Sequence, residues 1–166
     1  MANIKFKKAG VNDLDFLYYI YNDPEILENS LNDGSEPIKK KEILKTINYF
    51  EDNNLDLLIA YDDVYKIGMV NMYEKNFNEN YTMVGLALAK DARNMGLGVD
   101  VMVALEAYIF DTYGINQICG QAYSNNPRSL AFIEKLGYKE DPKRSDQIDI
   151  NGKIVDRYFF SKIIHK

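Results

Sequence analysis

Hydrophobic and polar residues change period several times along this chain, and each change marks a predicted element. Residues 4–9 alternate between apolar and polar side chains, which predicts an edge strand. A helix is expected over residues 12–23, and Pro24 should break it before a second short helical piece. Apolar side chains recur at helical spacing over residues 39–52, which predicts an amphipathic helix after a polar loop at residues 29–37.

The period then changes to two, as is typical of strands. Strands are predicted over residues 55–61, 66–73 and 81–89, with a turn at Asp62-Asp63 between the first two. Short connections of this kind join neighbouring antiparallel strands. We therefore expect a meander of three antiparallel strands.

Helices and strands alternate in the C-terminal half. Residues 99–113 are apolar on nearly every side, which predicts a buried helix that ends at Gly114. A strand over residues 115–123 and a helix over residues 127–136 follow, and Asn151-Gly152 predicts a type I′ hairpin between two final strands. The complete order predicts an α+β fold in which a mixed sheet carries helices on its faces.

Composition narrows the classes of function. A chain of 166 residues is long enough for one domain, taken here as residues 1–166. A net charge of −5 argues against nucleic acid and favours cationic partners. Cys119 is the only cysteine and His165 the only histidine, which argues against a disulfide, a metal site and a Ser-His-Asp triad. Without a signal peptide or membrane-spanning run, we expect a cytoplasmic protein.

A predicted strand leads through a glycine-containing turn directly into the buried helix. The residues of this turn are Arg93, Asn94, Met95, Gly96, Leu97, Gly98 and Val99. The first amides of a helix lack intrahelical acceptors and the helix dipole is positive there, so the turn is a candidate phosphate site. Gly96 and Gly98 permit close approach of a ligand, and Arg93 can contact a phosphate directly.

Two nucleotide-binding motifs that contain glycines do not fit this turn. A mononucleotide P-loop requires Gly-Lys-Ser/Thr, which is missing, and the dinucleotide fingerprint requires a third glycine where Val101 stands. The remaining alternative is that Gly96 and Gly98 form only a tight turn between strand and helix. The turn alone leaves that alternative open.

The order of the motifs points to a family. Residues 93–98 resemble the Arg/Gln-x-x-Gly-x-Gly/Ala signature of GNAT acetyltransferases. Residues 126–129 and 132–138 resemble the family's Asn-x-x-Ser and Glu-Lys-x-Gly-Phe/Tyr segments at their usual distance downstream. Residues 22–25, Asn-Asp-Pro-Glu, are similar to a segment of the subgroup that contains ribosomal-protein-alanine N-acetyltransferases and polyamine or amino-sugar acetyltransferases.

This resemblance implies a mostly antiparallel sheet, splayed between strands four and five and flanked by about four helices. It also implies acetyl-CoA as the donor and direct attack by an amine. The turn would hold the pyrophosphate, and further residues would border the rest of the cofactor. These are Leu86, Ala87, Leu88, Asn126, Phe132 and Lys135. The alternatives for the last three are a helix cap, a core aromatic and a surface lysine.

Two proton-transfer residues of the family are absent. Ile133 stands where many relatives have a tyrosine that acts as general acid, and Met83 stands where some have a glutamate. Ser129 is the remaining candidate proton donor, although its hydroxyl could instead cap the helix that follows Asn126. Further candidates on neighbouring strands are Tyr73, Tyr81 and Tyr123, and the alternative for each is packing in the core.

Two classes of function therefore stand against each other. The first is an N-acetyltransferase whose acceptor is a protein N-terminus, a polyamine or an amino sugar. The second is a non-catalytic acyl-CoA-binding sensor or interaction module that has lost its proton-transfer groups. Release of CoA in the presence of an amine separates them. An unrelated nucleotide-binding domain is a weaker alternative, and homodimer formation through the final strands is left open.

Overall fold

Eight strands and five α-helices make up the described part of the chain. The computed structural model describes residues 2–28, 36–150 and 152–165. The strands are β1 (Ile4–Lys8), β2 (Asp56–Asp62), β3 (Tyr65–Asn76), β4 (Tyr81–Leu88), β5 (Gln117–Tyr123), β6 (Lys139–Glu140), β7 (Asp146–Ile150) and β8 (Lys153–Ile163). The helices are α1 (Leu14–Tyr21), α2 (Pro24–Glu28), α3 (Lys40–Asp52), α4 (Leu97–Tyr113) and α5 (Pro127–Lys135), with short 3-10 helices at Val11–Asp13 and Lys90–Ala92.

The strands form one mixed sheet in the order β1-β2-β3-β4-β5-β8-β6, with β7 also paired to β8. Every strand pair is antiparallel except β4 and β5. These two parallel strands pair only from Tyr81 opposite Gln117 to Met83 opposite Cys119, and then diverge. Beyond Met83, β4 keeps β3 as its partner on one edge, and no described strand pairs with its other edge. This divergence confirms the expected splay between strands four and five.

Each face of the sheet is covered by its own helices. Successive residues of β2 point to opposite faces, so Leu58 joins the core under α4 whereas Leu57 and Ile59 join the core under α1 and α3. On α4, Val101, Leu105 and Ile109 have no exposed surface. The prediction of a buried helix at this position is therefore confirmed.

Backbone conformation explains where this helix ends. Gly114 has a φ of +67° and donates its N–H to the carbonyl of Phe110 at 2.9 Å, which closes α4 as predicted. The N-terminal end differs from the prediction, because α4 begins at Leu97 rather than Val99. Asn94 and Gly96 adopt φ values of +62° and +77°, which bring the chain into the helix within the turn itself.

Other differences lie at the ends of elements. The predicted break at Pro24 is confirmed, since α1 ends at Tyr21 and Pro24 opens α2, but α1 is shorter than the predicted residues 12–23. The hairpin turn after β2 lies at Asp63–Val64, one residue later than expected. The two-residue strand β6 was not predicted, because both of its residues are exposed and show no apolar pattern. Residues 29–35 of the predicted loop and Asn151 of the predicted hairpin lie outside the described residues.

Candidate active site

The divergence of β4 from β5 opens a cavity of about 380 Å³. Its lining residues come from α2, β4, the following turn, β5 and α5: Glu25, Ile26, Leu86, Ala87, Leu88, Arg93, Gly98, Gln121, Ala122, Tyr123, Asn126, Arg128, Ser129 and Phe132. A second cavity of about 190 Å³ lies beside α4 and α5. The two share Leu86, Gln121, Ser129 and Phe132, so they adjoin at the point where the strands separate.

The N-terminus of α4 has the features of an anion site. Gly96 precedes the helix in a left-handed conformation, and no side chain among the described residues caps the first turn. Uncapped amides at the positive end of a 17-residue helix attract a negatively charged ligand. A side chain at Gly96 would be strained by its φ of +77°. The turn therefore fits a phosphate group.

Gly98 has a different reason to be glycine. A Cβ atom there would lie 3.1 Å from the Phe132 ring and 3.5 Å from Leu88. The missing side chain lets the aromatic ring of α5 pack against the first turn of α4. Phe132 lines both cavities and also packs against the core, so its contact with the cofactor stays a prediction.

Arg93 makes its hydrogen bonds within the protein. Its Nε and Nη2 atoms donate to the carbonyl oxygen of Leu88 at 3.1 and 3.0 Å. Nη2 also lies 2.9 Å from Asp23 Oδ1, and Nη1 lies 3.0 Å from Glu25 Oε2. The side chain is only 11% exposed. In this arrangement Arg93 holds the end of β4 to the junction of α1 and α2, and its contact with a phosphate stays a prediction.

Glu25 extends these contacts around the cavity mouth. Its Oε1 atom lies 3.0 Å from Nη1 of Arg128, whose Nη2 donates to Asn94 Oδ1 at 2.7 Å. We call Asp23, Glu25, Arg93, Asn94 and Arg128 the rim cluster. Sequence reasoning missed the role of Arg128, because its partner Glu25 lies 103 positions away in the chain.

Ser129 lines both cavities, and its hydroxyl has no hydrogen bond to the described residues. The cap of α5 is Asn126, whose Oδ1 accepts the backbone N–H of Ser129 at 3.1 Å. The alternative in which the Ser129 hydroxyl caps this helix is therefore wrong, and the helix-cap alternative for Asn126 is confirmed. Asn126 still lines the larger cavity, so its contact with the cofactor stays a prediction.

Neither Met83 nor Ile133 can donate a proton where β4 and β5 diverge. Met83 is buried in the sheet with 2% of its surface exposed. Ile133 lines the smaller cavity with an apolar side chain. Among the tyrosines, Tyr81 donates its hydroxyl to Glu74, and burial raises the pKa of Tyr123, which lines the larger cavity.

Tyr73 on β3 and Gln121 on β5 form a polar pair. The Gln121 Nε2 atom donates to the Tyr73 hydroxyl at 3.0 Å. Burial raises the pKa of Tyr73 above its usual value near 10, so the hydroxyl keeps its proton at neutral pH. The Oε1 atom of Gln121 is buried and has no hydrogen-bond partner among the described residues. Gln121 was not predicted, since a single glutamine in a strand carries no sequence signal.

The remaining predicted residues are spread along the turn and beyond it. Asn94, Met95 and Gly96 are exposed, whereas Leu97 and Val99 are half-buried in the first turn of α4. Lys135 is exposed and lines neither cavity, which agrees with the surface-lysine alternative. Within the described ranges there is no group of His, Cys, Asp and Glu side chains that could hold a metal, and no helix long and apolar enough to cross a membrane.

Comparison with known proteins gives matches over most of the chain. Residues 4–139 match the family described as Acetyltransferase (GNAT) domain. A curated protein, the Putative ribosomal N-acetyltransferase YdaF of Bacillus subtilis (strain 168), is 24% identical over 113 residues. That alignment covers 68% of this chain and 61% of the relative, so less than two thirds of the relative is matched.

Solved structures match over nearly the whole chain. A spermidine N-acetyltransferase from Vibrio cholerae, in complex with CoA and spermine, superposes with a TM-score of 0.83 at 19% identity. The match covers 96% of this chain and 95% of that one. A ribosomal-protein-alanine N-acetyltransferase from Brucella melitensis gives 0.75 at 17% identity, over 96% and 99% of the two chains. At these identities the superpositions establish the fold.

Proposed function

Because this chain belongs to the GNAT acetyltransferase family, we propose that it transfers an acetyl group from acetyl-CoA to a primary amine. The observation that carries the proposal is the cavity between β4 and β5, which adjoins the uncapped N-terminus of α4. A thioester-bearing arm needs a slot between strands, and its phosphates need an anion site at the entrance. Both features occur side by side here, within one proposed domain that spans residues 1–166.

The chain's own residues divide between binding and chemistry. The turn from Arg93 to Val99 would hold the pyrophosphate, while the β4 backbone at Leu86–Leu88 would bind the pantetheine arm. Phe132 would pack against that arm. Bound acetyl-CoA supplies the acetyl group as a thioester, which an amine can attack directly. The protein needs mainly to place a neutral amine next to the thioester and to exclude competing water.

Ser129 is the proposed proton donor for the departing thiolate. Its hydroxyl is not engaged as the helix cap, and Ser129 lines both cavities. The acetyl carbon gains a bond to the amine nitrogen as its bond to sulfur breaks. The sulfur takes a proton from Ser129, and water passes the proton of the amine back to the serine oxygen, which restores the neutral hydroxyl.

The acceptor is proposed to be a protein N-terminus, a polyamine or an amino sugar. These classes agree with the net charge of −5 and with the carboxylates near the cavity mouth. The names of the relatives mention spermidine and ribosomal-protein alanine, which belong to two of the classes. A primary amine is the chemistry that all three share.

Continuous detection of released CoA thiol tests the proposal. Acetyl-CoA is incubated with the protein and with spermidine, an alanine-ended peptide or glucosamine, each in a separate assay. We expect amine-dependent CoA release, and the Ser129→Ala variant should lower kcat by about 100-fold or more if the serine is the acid. Ser124→Ala removes the same hydroxyl from a residue that lines neither cavity, and it should retain its rate. Binding of acetyl-CoA without release of CoA would instead support the sensor module.

A further inference from the structure

Glu25 is the rim residue that contacts both arginines. Its two carboxylate oxygens each lie 3.0 Å from a guanidinium nitrogen, one of Arg93 and one of Arg128. The Glu25 side chain is 49% exposed and lines the larger cavity. A carboxylate in this position can reach both the cavity and the turn that precedes α4.

The two arginines differ in how firmly they are held. Arg93 is 11% exposed and also donates twice to the Leu88 carbonyl, so it is fixed by the end of β4. Arg128 is 57% exposed, and its other contact is with Asn94 in the turn itself. An exposed pair of this kind contributes little and exchanges readily. Arg128 is therefore the arginine that can change its partner.

A phosphate at this turn would compete with Glu25 for Arg128. The two carboxylates and two guanidinium groups of the rim cluster balance in charge. A phosphate oxygen beside Asn94 adds negative charge within reach of Arg128, and arginine binds phosphate in a bidentate geometry. Repulsion between the phosphate and the Glu25 carboxylate then favours separation of Glu25 from Arg128.

Asp23 is unsuited to such an exchange. It is 6% exposed, and its Oδ1 atom accepts the backbone N–H groups of Glu25 and Ile26 at 3.1 and 3.3 Å. These bonds and Arg93 fix its carboxylate at the start of α2. The mobile negative charge of the rim cluster is thus carried by Glu25.

Building on the proposed function, we propose that Glu25 is a specificity-determining residue that exchanges partners during the reaction. Before acetyl-CoA binds, Glu25 pairs with Arg128. A phosphate of the bound cofactor takes Arg128, and the carboxylate turns to an ammonium group of the acceptor other than the reacting amine, which is neutral when it attacks, as the acceptor enters the cavity beside Tyr123. The charge of the amine is consequently recognised only after a phosphate has taken Arg128 from Glu25.

The Glu25→Gln variant tests this exchange, because it keeps the size of the side chain and removes its charge. We expect acetyl-CoA to bind about two- to fivefold more tightly by isothermal titration calorimetry, the range for one exposed ion pair. The KM for spermidine, whose other amines stay protonated when one is neutral, should rise by a similar factor or more, with kcat unchanged. Tighter binding of acetyl-CoA together with a raised KM for the amine would distinguish exchange from a structural role. Loss of a structural contact would weaken the binding of both ligands.

Two matched variants complete the experiment. Glu28→Gln removes the same charge from the same helix at an exposed residue that lines neither cavity, and it should change neither constant. Arg128→Gln should weaken acetyl-CoA binding. In the Arg128→Gln background, the Glu25→Gln substitution should no longer tighten binding, since the competition has been removed.

Several results would overturn the inference. Weaker binding of both acetyl-CoA and the amine in Glu25→Gln would mean that Glu25 has a structural role only. Equal changes in Glu28→Gln would mean that the effect comes from the net charge of the protein. Tighter cofactor binding with an unchanged KM for the amine would exclude the acceptor contact. A wild-type chain that binds acetyl-CoA and releases no CoA with any of the three amines would overturn the proposed function, and this inference with it.

Discussion

Asp56 and Glu25 are both acidic residues that bridge two cations, and they differ in what surrounds them. Asp56 opens β2 with no exposed surface, and its oxygens lie 2.9 Å from Lys8 Nζ and 3.0 Å from Lys75 Nζ. Glu25 is half-exposed at the mouth of a cavity. The same kind of bridge is thus fixed by burial in one place and open to a ligand in the other.

The buried Asp56 has further contacts that hold its carboxylate in place. Tyr113, the last residue of α4, donates its hydroxyl to Asp56, and the ammonium of Lys75 lies 4.6 Å from the centre of the Tyr113 ring. Only 5% of the Lys75 side chain is exposed. We call Asp56, Lys8, Lys75 and Tyr113 the buried cluster. It joins three strands to the end of α4, whereas the rim cluster joins α2 to residues around a binding site.

The largest expected effect follows from removing the central charge of the buried cluster. The Asp56→Asn variant leaves the Lys75 ammonium buried without its counter-charge, which should cost about 3–5 kcal/mol of unfolding free energy. Urea denaturation measures the loss. Glu42→Gln removes an exposed partner of Lys45 and should change stability by less than about 0.5 kcal/mol. Similar losses in the two variants would contradict the distinction between buried and exposed bridges.

The next effect concerns ligand binding near the rim cluster. At about a hundred times its dissociation constant, acetyl-CoA should stabilise the wild-type chain by about 2.7 kcal/mol, and the Gly96→Glu variant should lose this gain. A negative side chain at the start of α4 repels the phosphates. Thermal unfolding with and without acetyl-CoA measures the difference.

Gly152→Glu is the matched control for that experiment. Gly152 has a φ of +78°, close to the +77° of Gly96, so both variants carry similar backbone strain. Gly152 lines neither cavity, and its variant should keep the stabilisation by acetyl-CoA. A wild-type chain that is not stabilised at saturating acetyl-CoA would mean that the glycines form only a turn.

A smaller effect should separate the two arginines of the rim cluster. Arg93→Gln removes two hydrogen bonds to the Leu88 carbonyl and the counter-charge of the buried Asp23 carboxylate, which should cost about 1–2 kcal/mol. Arg128→Gln breaks an exposed pair and should cost less than about 1 kcal/mol. Urea denaturation of both variants checks the order. An equal cost would show that burial within the rim cluster makes no difference.

Local patterns predicted much of the frame that positions these clusters. The apolar run of α4, the terminating Gly114 and the break at Pro24 depend on residues that are neighbours in the chain, so the sequence indicates them. The candidate anion site at Gly96 was predicted in the same way, since a strand, a glycine turn and a helix follow one another directly in the sequence. Order and spacing of two motifs then indicated the family.

Neither cluster was predicted, because each depends on contacts between distant segments. Arg128 reaches Glu25 across 103 positions, and Tyr113 reaches Asp56 across 57. Charged side chains are usually exposed to solvent in folded proteins, so a single Asp or Lys in the sequence does not indicate that it has a buried partner. The cap of α5 shows the same limit on a smaller scale: Asn126 and Ser129 both fit an N-terminal motif, and only the structure assigns the cap to Asn126.

Acid titration gives the mildest test of the comparison. Burial alone would raise the pKa of Asp56, but hydrogen bonds from Tyr113, Lys8 and Lys75 outweigh it and lower the pKa below its usual value of 3.8. A carboxyl group with a lowered pKa stabilises the folded state above the unfolded-state value, and this contribution is lost as the pH falls through the folded-state value. The contribution of Asp56 should therefore be complete near neutral pH and disappear only below about pH 4.

Asp56→Asn makes this test specific, because a protonated carboxyl group resembles a carboxamide in size and charge. The difference in unfolding free energy between the wild-type chain and Asp56→Asn should be constant from about pH 5 to pH 8, and should shrink below about pH 4. Urea denaturation at each pH measures it. The unfolding free energy of Glu25→Gln should differ little from that of the wild-type chain at any pH, because an exposed ion pair contributes little to stability. A constant difference down to pH 2 would mean that the lysines hold Asp56 by packing rather than by charge.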